Sequence, residues 1–187
     1  MKQIHRLLLI ISVFVTVSLA CNLGTSLSKS RPTIPVTTES AQSLEETAQA
    51  AMDAAAKHGE VNLVIDEAQV TSMLAFELQK SGQQFISDPQ VYLRDGQMQI
   101  FGDVKSETIT AQGMLIIEPQ VDADGRVNFD VVSAKVGPFP VPGDMVTEIE
   151  TNLNRVITQQ LEEMAPNSYI DSLVIADGLM TIKGHTR

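Results

Sequence analysis

"DGQMQIFG", residues 95–102, has a counterpart near the other end of the chain, "DGLMTIKG", residues 177–184. The two octets lie 82 residues apart and agree at five positions: Asp95/Asp177, Gly96/Gly178, Met98/Met180, Ile100/Ile182 and Gly102/Gly184. Asp-Gly followed by alternating apolar residues is typical of a β-hairpin with a two-residue turn. The sequence therefore predicts the same turn and the same strand twice.

The elements around each octet are also similar. Residues 66–82 predict a helix in which Asp66 and Gln69 form a capping box. Residues 144–164 predict a longer helix, with an apolar residue at every third or fourth position. Each helix precedes a strand, an Asp-Gly turn and a second strand, so we expect two pseudo-equivalent halves, each laying one helix on antiparallel strands. The alternative is a chance resemblance between two hairpins.

The remaining segments complete an α+β pattern. Residues 60–66, "EVNLVID", predict a strand, and Asp124-Gly125 predicts a third hairpin in which Val127 and Phe129 face one way and Asn128 the other. Residues 136–143, "VGPFPVPG", are expected to be extended, because their three prolines exclude both a helix and an inner strand.

The first twenty residues have the pattern of a secretory signal. A basic start is followed by an apolar run too short to span a membrane, and then by "VSLAC". Cys21, the only cysteine, resembles the lipidated cysteine of bacterial lipoproteins, which receives a diacylglycerol and an acyl chain such as palmitate. The alternatives are a secreted protein with a chance cysteine and an uncleaved anchor. Residues 21–40 predict a lipidated, flexible Ser/Thr/Pro tether, and residues 41–59 a helix whose thin apolar face favours a stalk.

Charge limits the classes of partner. Without Lys2 and Arg6 of the signal, 11 basic side chains remain against 23 acidic ones, a balance of −12. Because no basic cluster remains to neutralise phosphates, nucleic acid is not expected as a partner. Electrostatic docking on an anionic membrane is also disfavoured, so the membrane contact is expected to come from the N-terminal lipid anchor on the extracytoplasmic face.

The sequence contains few residues or motifs that are typical of catalysis. His58 and His185 have no ligand-spaced partners, and no nucleophile elbow, phosphate-binding glycine loop or metalloprotease motif occurs. The sequence therefore predicts no enzyme, no metal and no cofactor. Its apolar residues are mostly aliphatic or methionine, which suits either an acyl-chain surface or an ordinary core.

The order of elements over residues 61–184 resembles the LmeA-type phospholipid-binding proteins and the related YpmS-like membrane-anchored proteins. The similar stretches are "DEAQV", "VYLRDGQMQIFG", "VGPFPVPGDM" and "LVIADGLMTIKG". The resemblance implies a tubular lipid-binding (TULIP-like) half-barrel, in which a curved antiparallel sheet wraps a long amphipathic helix and lipid tails lie between them. It implies no catalytic residue.

These observations together predict an envelope lipoprotein whose α+β domain, residues 60–187, binds a lipid or another apolar ligand. The residues expected to line the ligand space are Met98, Ile100, Met114, Ile116, Phe129, Val131, Ile149, Leu153 and Val156. The competing hypothesis is a non-enzymatic envelope assembly or interaction module with a filled core.

Overall fold

The computed structural model describes residues 32–82, 86–105, 110–164 and 168–186, and it describes the side chains of the long helix up to Gln159. These residues form three helices and eight strands. In chain order they are α1 (Thr38–His58), β1 (Glu60–Asp66), α2 (Glu67–Lys80), β2 (Ile86–Arg94), β3 (Gln97–Lys105), β4 (Thr110–Val121), β5 (Val127–Val136), β6 (Phe139–Pro140), α3 (Gly143–Met164), β7 (Ser168–Ala176) and β8 (Leu179–Thr186).

The strands form two antiparallel sheets, neither of which closes into a barrel within the described residues. One sheet is a five-stranded meander in the order β2-β3-β4-β5-β6, and the other has the order β1-β8-β7. The smaller sheet therefore combines an early strand with the last two strands of the chain. The predicted α+β class with antiparallel sheets is confirmed.

Local signals predicted these elements well. The Asp66 side chain accepts a hydrogen bond from the Gln69 N–H at 2.8 Å, and the Gln69 side chain accepts one from the Asp66 N–H at 2.9 Å, so the capping box is present. All three Asp-Gly pairs lie in hairpin turns. The proline-rich segment forms only the two-residue edge strand β6, as its missing N–H groups require.

The predicted tether, residues 21–40, ends earlier than expected. Ile34 is buried, and its N–H donates to the Gln90 side chain at 2.7 Å. The Thr37 N–H donates to Ser72 Oγ at 3.1 Å, and Thr37 caps α1, which begins at Thr38. Residues 34–40 therefore belong to the folded unit; the signal, Cys21 and the remaining tether up to residue 31 lie outside the described residues.

Helix α1 also differs from the predicted stalk. Its thin apolar face is buried at Leu44, Ala51 and Ala55, and Leu44 belongs to the main hydrophobic cluster. Small residues allow a close approach to neighbouring elements, so a face that looks too weak for a core helix packs against α2 and β1.

The hairpins β2–β3 and β7–β8 carry the repeated octets, and their backbones match closely. Asp95 and Asp177 have φ angles of 55° and 52°, and Gly96 and Gly178 have 78° and 84°, as two-residue hairpin turns require. In both hairpins the pairing register shifts opposite or beside the final glycine of the octet, Gly102 or Gly184. The repeat is therefore present in the backbone conformation as well as in the amino-acid sequence.

The two turns bind each other. The Gly96 N–H donates to the Ile175 carbonyl at 3.1 Å, and the Gly178 N–H donates to the Leu93 carbonyl at 3.0 Å. Gly178 lies 82 positions after Gly96, and Ile175 lies 82 positions after Leu93. The two hydrogen bonds are therefore equivalent by the repeat, and each hairpin donates one and accepts the other. A local two-fold axis thus passes between the turns, where the two sheets meet.

The expected equivalence of the halves stops at the helices. Helix α2 packs on β2 of the hairpin that follows it, whereas the main strand contact of α3 is with β5. The long connection through β4, β5 and β6 separates α3 from the position that the repeat alone predicts.

Candidate functional site

The interior contains two neighbouring clusters of buried apolar side chains. The first centres on Val91, Leu93, Ile175 and Met180, which come from the two repeated hairpins. The second centres on Ile117, Val127, Phe129 and Ile170. Val91 and Leu93 have no exposed surface, so they lie at the centre of the first cluster.

Four side chains contact both clusters, yet none of them is fully buried. They are Met98, Ile100, Leu173 and Ile182, from β3, β7 and β8. Side chains between two clusters of a completely filled core should be among its most buried residues. We call these four residues the bridging surface; their remaining exposure marks the place where an apolar ligand could replace water.

The structure does not bring all nine predicted lining residues to this surface. Met98 and Ile100 are part of it, and Phe129, which is buried, belongs to the adjacent second cluster. Val131 is half-buried and pairs with Ile117, and Leu153 of α3 packs against the second cluster. Ile149 is half-buried, and Val156 is 44% exposed.

Met114 and Ile116 lie on the other face of the sheet, which corrects their predicted position. Strand pairing sets Met114 opposite Phe101 and Ile116 opposite Gln99. Met114 accordingly packs against a third cluster, made by Ile34, Tyr92 and Phe101. Since side chains alternate between faces along a strand, the inward positions of β4 are Leu115 and Ile117.

The sequence contained signals for two residues that the predicted set omits. Ile182 is the counterpart of Ile100 in the repeated octet, so the choice of Ile100 should have included it. Leu173 and the α3 residue Ile157 were also missed. For Leu173 the signal was its place four residues before Asp177, equivalent to the place of Val91 before Asp95.

Helix α3 is held on β5 by polar contacts as well as apolar ones. Asn154 Oδ1 accepts from the Phe129 N–H at 2.7 Å, and Asn154 Nδ2 donates to the Phe129 carbonyl at 3.0 Å. Glu150 Oε2 accepts from the Val131 N–H at 3.0 Å. These side chains satisfy the backbone groups that β5 directs away from β4, and Leu153 on the same helix faces the second cluster.

Polar chemistry near the bridging surface is limited. Among the described residues, no group of three or more His, Cys, Asp or Glu side chains could hold a metal ion. Glu67 binds the Arg94 guanidinium and accepts from the Leu93 N–H at 2.7 Å, so this carboxylate supports the first turn. His185 Nδ1 lies 3.0 Å from Asp171 Oδ2 on an exposed surface.

The carboxyl group of Asp122 has a lowered pKa, and its cause is structural. The Arg126 N–H donates to Asp122 Oδ1 at 2.9 Å and is the main cause that lowers the pKa of Asp122, and the Asp124 N–H adds a second bond at 2.9 Å. The carboxylate closes the β4–β5 turn as an Asx-type cap.

A pocket of about 320 Å³ lies elsewhere, between the C-terminal half of α2 and the start of β2. Its walls include Val36, Phe76, Ile86 and Pro89. Ser87 Oγ is buried there and has no hydrogen-bond partner among the described residues, but it exposes less than 1 Å² and cannot contact a molecule in the pocket. None of the predicted lining residues belongs to this pocket.

No protein-family model, curated protein or solved structure matched the chain. Within the part of the chain that the structure describes, no helix combines the length and the apolar character needed to cross a membrane.

Proposed function

We propose that the protein is an envelope lipoprotein, attached through Cys21, whose α+β domain binds a lipid or another apolar ligand without catalysing a reaction. The observation that carries this proposal is the incomplete burial of the bridging surface, Met98, Ile100, Leu173 and Ile182, between two buried clusters. We further propose a TULIP-like arrangement, in which α3 and the two open sheets enclose the acyl chains.

The mechanism is burial of apolar surface. Each acyl methylene that leaves water for such a site contributes about 0.8 kcal/mol. A ligand of about ten buried methylenes would thus gain roughly 8 kcal/mol before the costs of ordering are subtracted. The aliphatic and thioether side chains of the surface carry no charge, so they fit an acyl chain and offer nothing that would select a headgroup.

The position of α3 supports a route for entry. Its described side chains up to Gln159 are at most half-buried, and the hydrogen bonds of Asn154 and Glu150 attach it to the edge of β5. A helix attached at one edge can move away with a smaller loss of buried surface than a helix enclosed in the core. We therefore propose that the ligand enters beside α3.

The test compares two enlarging substitutions in the full-length protein. Ile182→Phe adds volume at the bridging surface, and Val174→Phe adds the same kind of side chain at a position that is 55% exposed. If the site holds a ligand, Ile182→Phe should displace it with little loss of stability, while Val174→Phe should retain it. Organic extraction followed by mass spectrometry measures the bound lipid, and urea denaturation measures stability.

The filled-core hypothesis makes the opposite prediction. Extracts of the unsubstituted protein would be empty, and Ile182→Phe would destabilise the fold by about 1–3 kcal/mol through overpacking. That pair of results would refute ligand binding and favour the assembly module.

The anchor is tested separately with Cys21→Ala. The substitution should move the protein from the membrane fraction to the soluble fraction or to the uncleaved precursor. A processed protein that stays in the membrane fraction would contradict lipidation at this cysteine.

A further inference from the structure

Phe139 is the most exposed large apolar side chain of the described residues. It is 72% exposed and lies in the segment 136–143, which we call the proline tip. Met145, in the first turn of α3, lies six positions further along the chain and is 52% exposed. Two exposed large apolar side chains so near in the chain are a candidate for an interaction surface.

The backbone of the proline tip has few free donors. Pro138, Pro140 and Pro142 have no N–H group. The Gly137 N–H donates to the Gln112 carbonyl at 2.8 Å, and the Val141 N–H donates to the Ala134 carbonyl at 2.9 Å. Segments that enter a lipid bilayer must satisfy their backbone donors internally, and this segment has largely done so.

The same features disfavour a protein partner. Strand addition to β6 would need the N–H groups that the prolines lack. Recognition by ion pairs would need charged side chains, and residues 136–143 contain none. Attraction to an anionic surface is excluded as the main force, because the whole chain carries a formal charge of −10.

We propose that the proline tip inserts Phe139 into the interfacial region of the lipid bilayer and so makes a second contact with the membrane. This inference rests on the proposed attachment through Cys21, which would keep the tip close to the bilayer. Interfacial binding becomes stronger with the apolar area that is buried at the headgroup–acyl boundary, so apolar side chains can supply the contact where positive charge is lacking. The contact would restrict the orientation of the domain on the membrane.

The chain contains no tryptophan, which permits a direct test. The full-length protein carrying Phe139→Trp is reconstituted in phosphatidylcholine vesicles, with and without lipids brominated on the acyl chains. The matched control is Val174→Trp, an exposed position on β7 in the other sheet. We expect blue-shifted emission and quenching by brominated lipid for Phe139→Trp, unchanged by high salt, and neither effect for Val174→Trp.

Two results would overturn the proposal. One is unquenched, water-like emission of Phe139→Trp, whether or not the protein floats with the vesicles. The other is equal quenching at both positions, which would show non-specific contact with lipid. The lipid-extraction and Cys21→Ala experiments do not depend on this fluorescence. A result against membrane contact by the proline tip can therefore be distinguished from a result against ligand binding or anchoring.

Discussion

The hairpins β2–β3 and β7–β8 share a turn, a register shift and a glycine, but they differ in what surrounds them. The first is the beginning of a five-stranded sheet and is covered by α2, whereas the second pairs with β1 in a three-stranded sheet. Their mutual contact through Gly96 and Gly178 is symmetric. The comparison teaches that the octet determines a hairpin and its partner turn, while the rest of the chain determines which sheet the hairpin joins.

The largest expected difference between the hairpins is at their final glycines. A Cβ added at Gly184 would lie 2.4 Å from the Tyr169 carbonyl oxygen, whereas one added at Gly102 would lie 3.2 Å from the equivalent Ser87 oxygen. We expect Gly184→Ala to destabilise the fold by about 3 kcal/mol and Gly102→Ala by about 1 kcal/mol. Urea denaturation measures both changes in stability. Equal losses of stability would contradict the closer approach of Gly184 to the neighbouring strand.

The next prediction concerns the helix that breaks the symmetry. Asn154→Leu keeps the size of the side chain but leaves the Phe129 N–H and carbonyl without their partner. We expect a loss of about 2 kcal/mol, the cost of unsatisfied backbone groups. Asn152→Leu, at an exposed position of the same helix, should change stability by less than about 0.5 kcal/mol. If both variants have the same stability, α3 is not attached through Asn154.

A smaller effect should distinguish the two turns. The Glu67–Arg94 ion pair supports the first turn, and the positions equivalent by the repeat are Ile149 and Ala176, which cannot form such a pair. Glu67→Gln should cost about 1 kcal/mol, because Arg94 is partly exposed and solvent weakens the pair. Glu77→Gln, which removes an exposed pair with Lys80, is the control and should have almost no effect. Denaturation at low and high salt measures the difference, and an equal response of both variants would contradict the assignment.

The smallest predicted effect concerns the third hairpin and depends on pH. The hydrogen bonds to Asp122 lower its pKa below the ordinary value of 3.8, so the charged form is favoured in the folded state. The resulting stability is present above pH 3.8 and is lost as the pH falls through the lowered pKa. The stability difference between the unsubstituted protein and Asp122→Asn should therefore shrink in acid. Denaturation midpoints of both proteins, measured from neutral to strongly acidic pH, test this prediction. A stability difference that stays constant over this range would contradict it.

The parts of the fold that the sequence predicted are those determined by neighbouring residues. The Asp-Gly turns and the capping box of Asp66 and Gln69 depend on contacts within a few positions. The alternation of β5, with Val127 and Phe129 buried, depends on strand geometry alone. Such features need no knowledge of the remaining chain.

The errors arise where distant segments meet. The faces of Met114 and Ile116 depend on the register between β3 and β4, and a shift by one residue exchanges the two faces. The burial of Ile34 depends on Gln90, 56 positions away. The placement of α3 on β5 depends on a polar residue, Asn154, which an apolar periodicity does not register. The predicted lining residues thus include the β3 members of the bridging surface and omit those from β7 and β8.

The amide of Asn154 has a consequence for self-assembly. An open strand edge is a template on which a second molecule can add a strand, and this is a common start of aggregation. On β5 the place of that added strand at Phe129 is already taken by an asparagine side chain. The asparagine side chain therefore blocks strand addition at Phe129 and removes this route to aggregation.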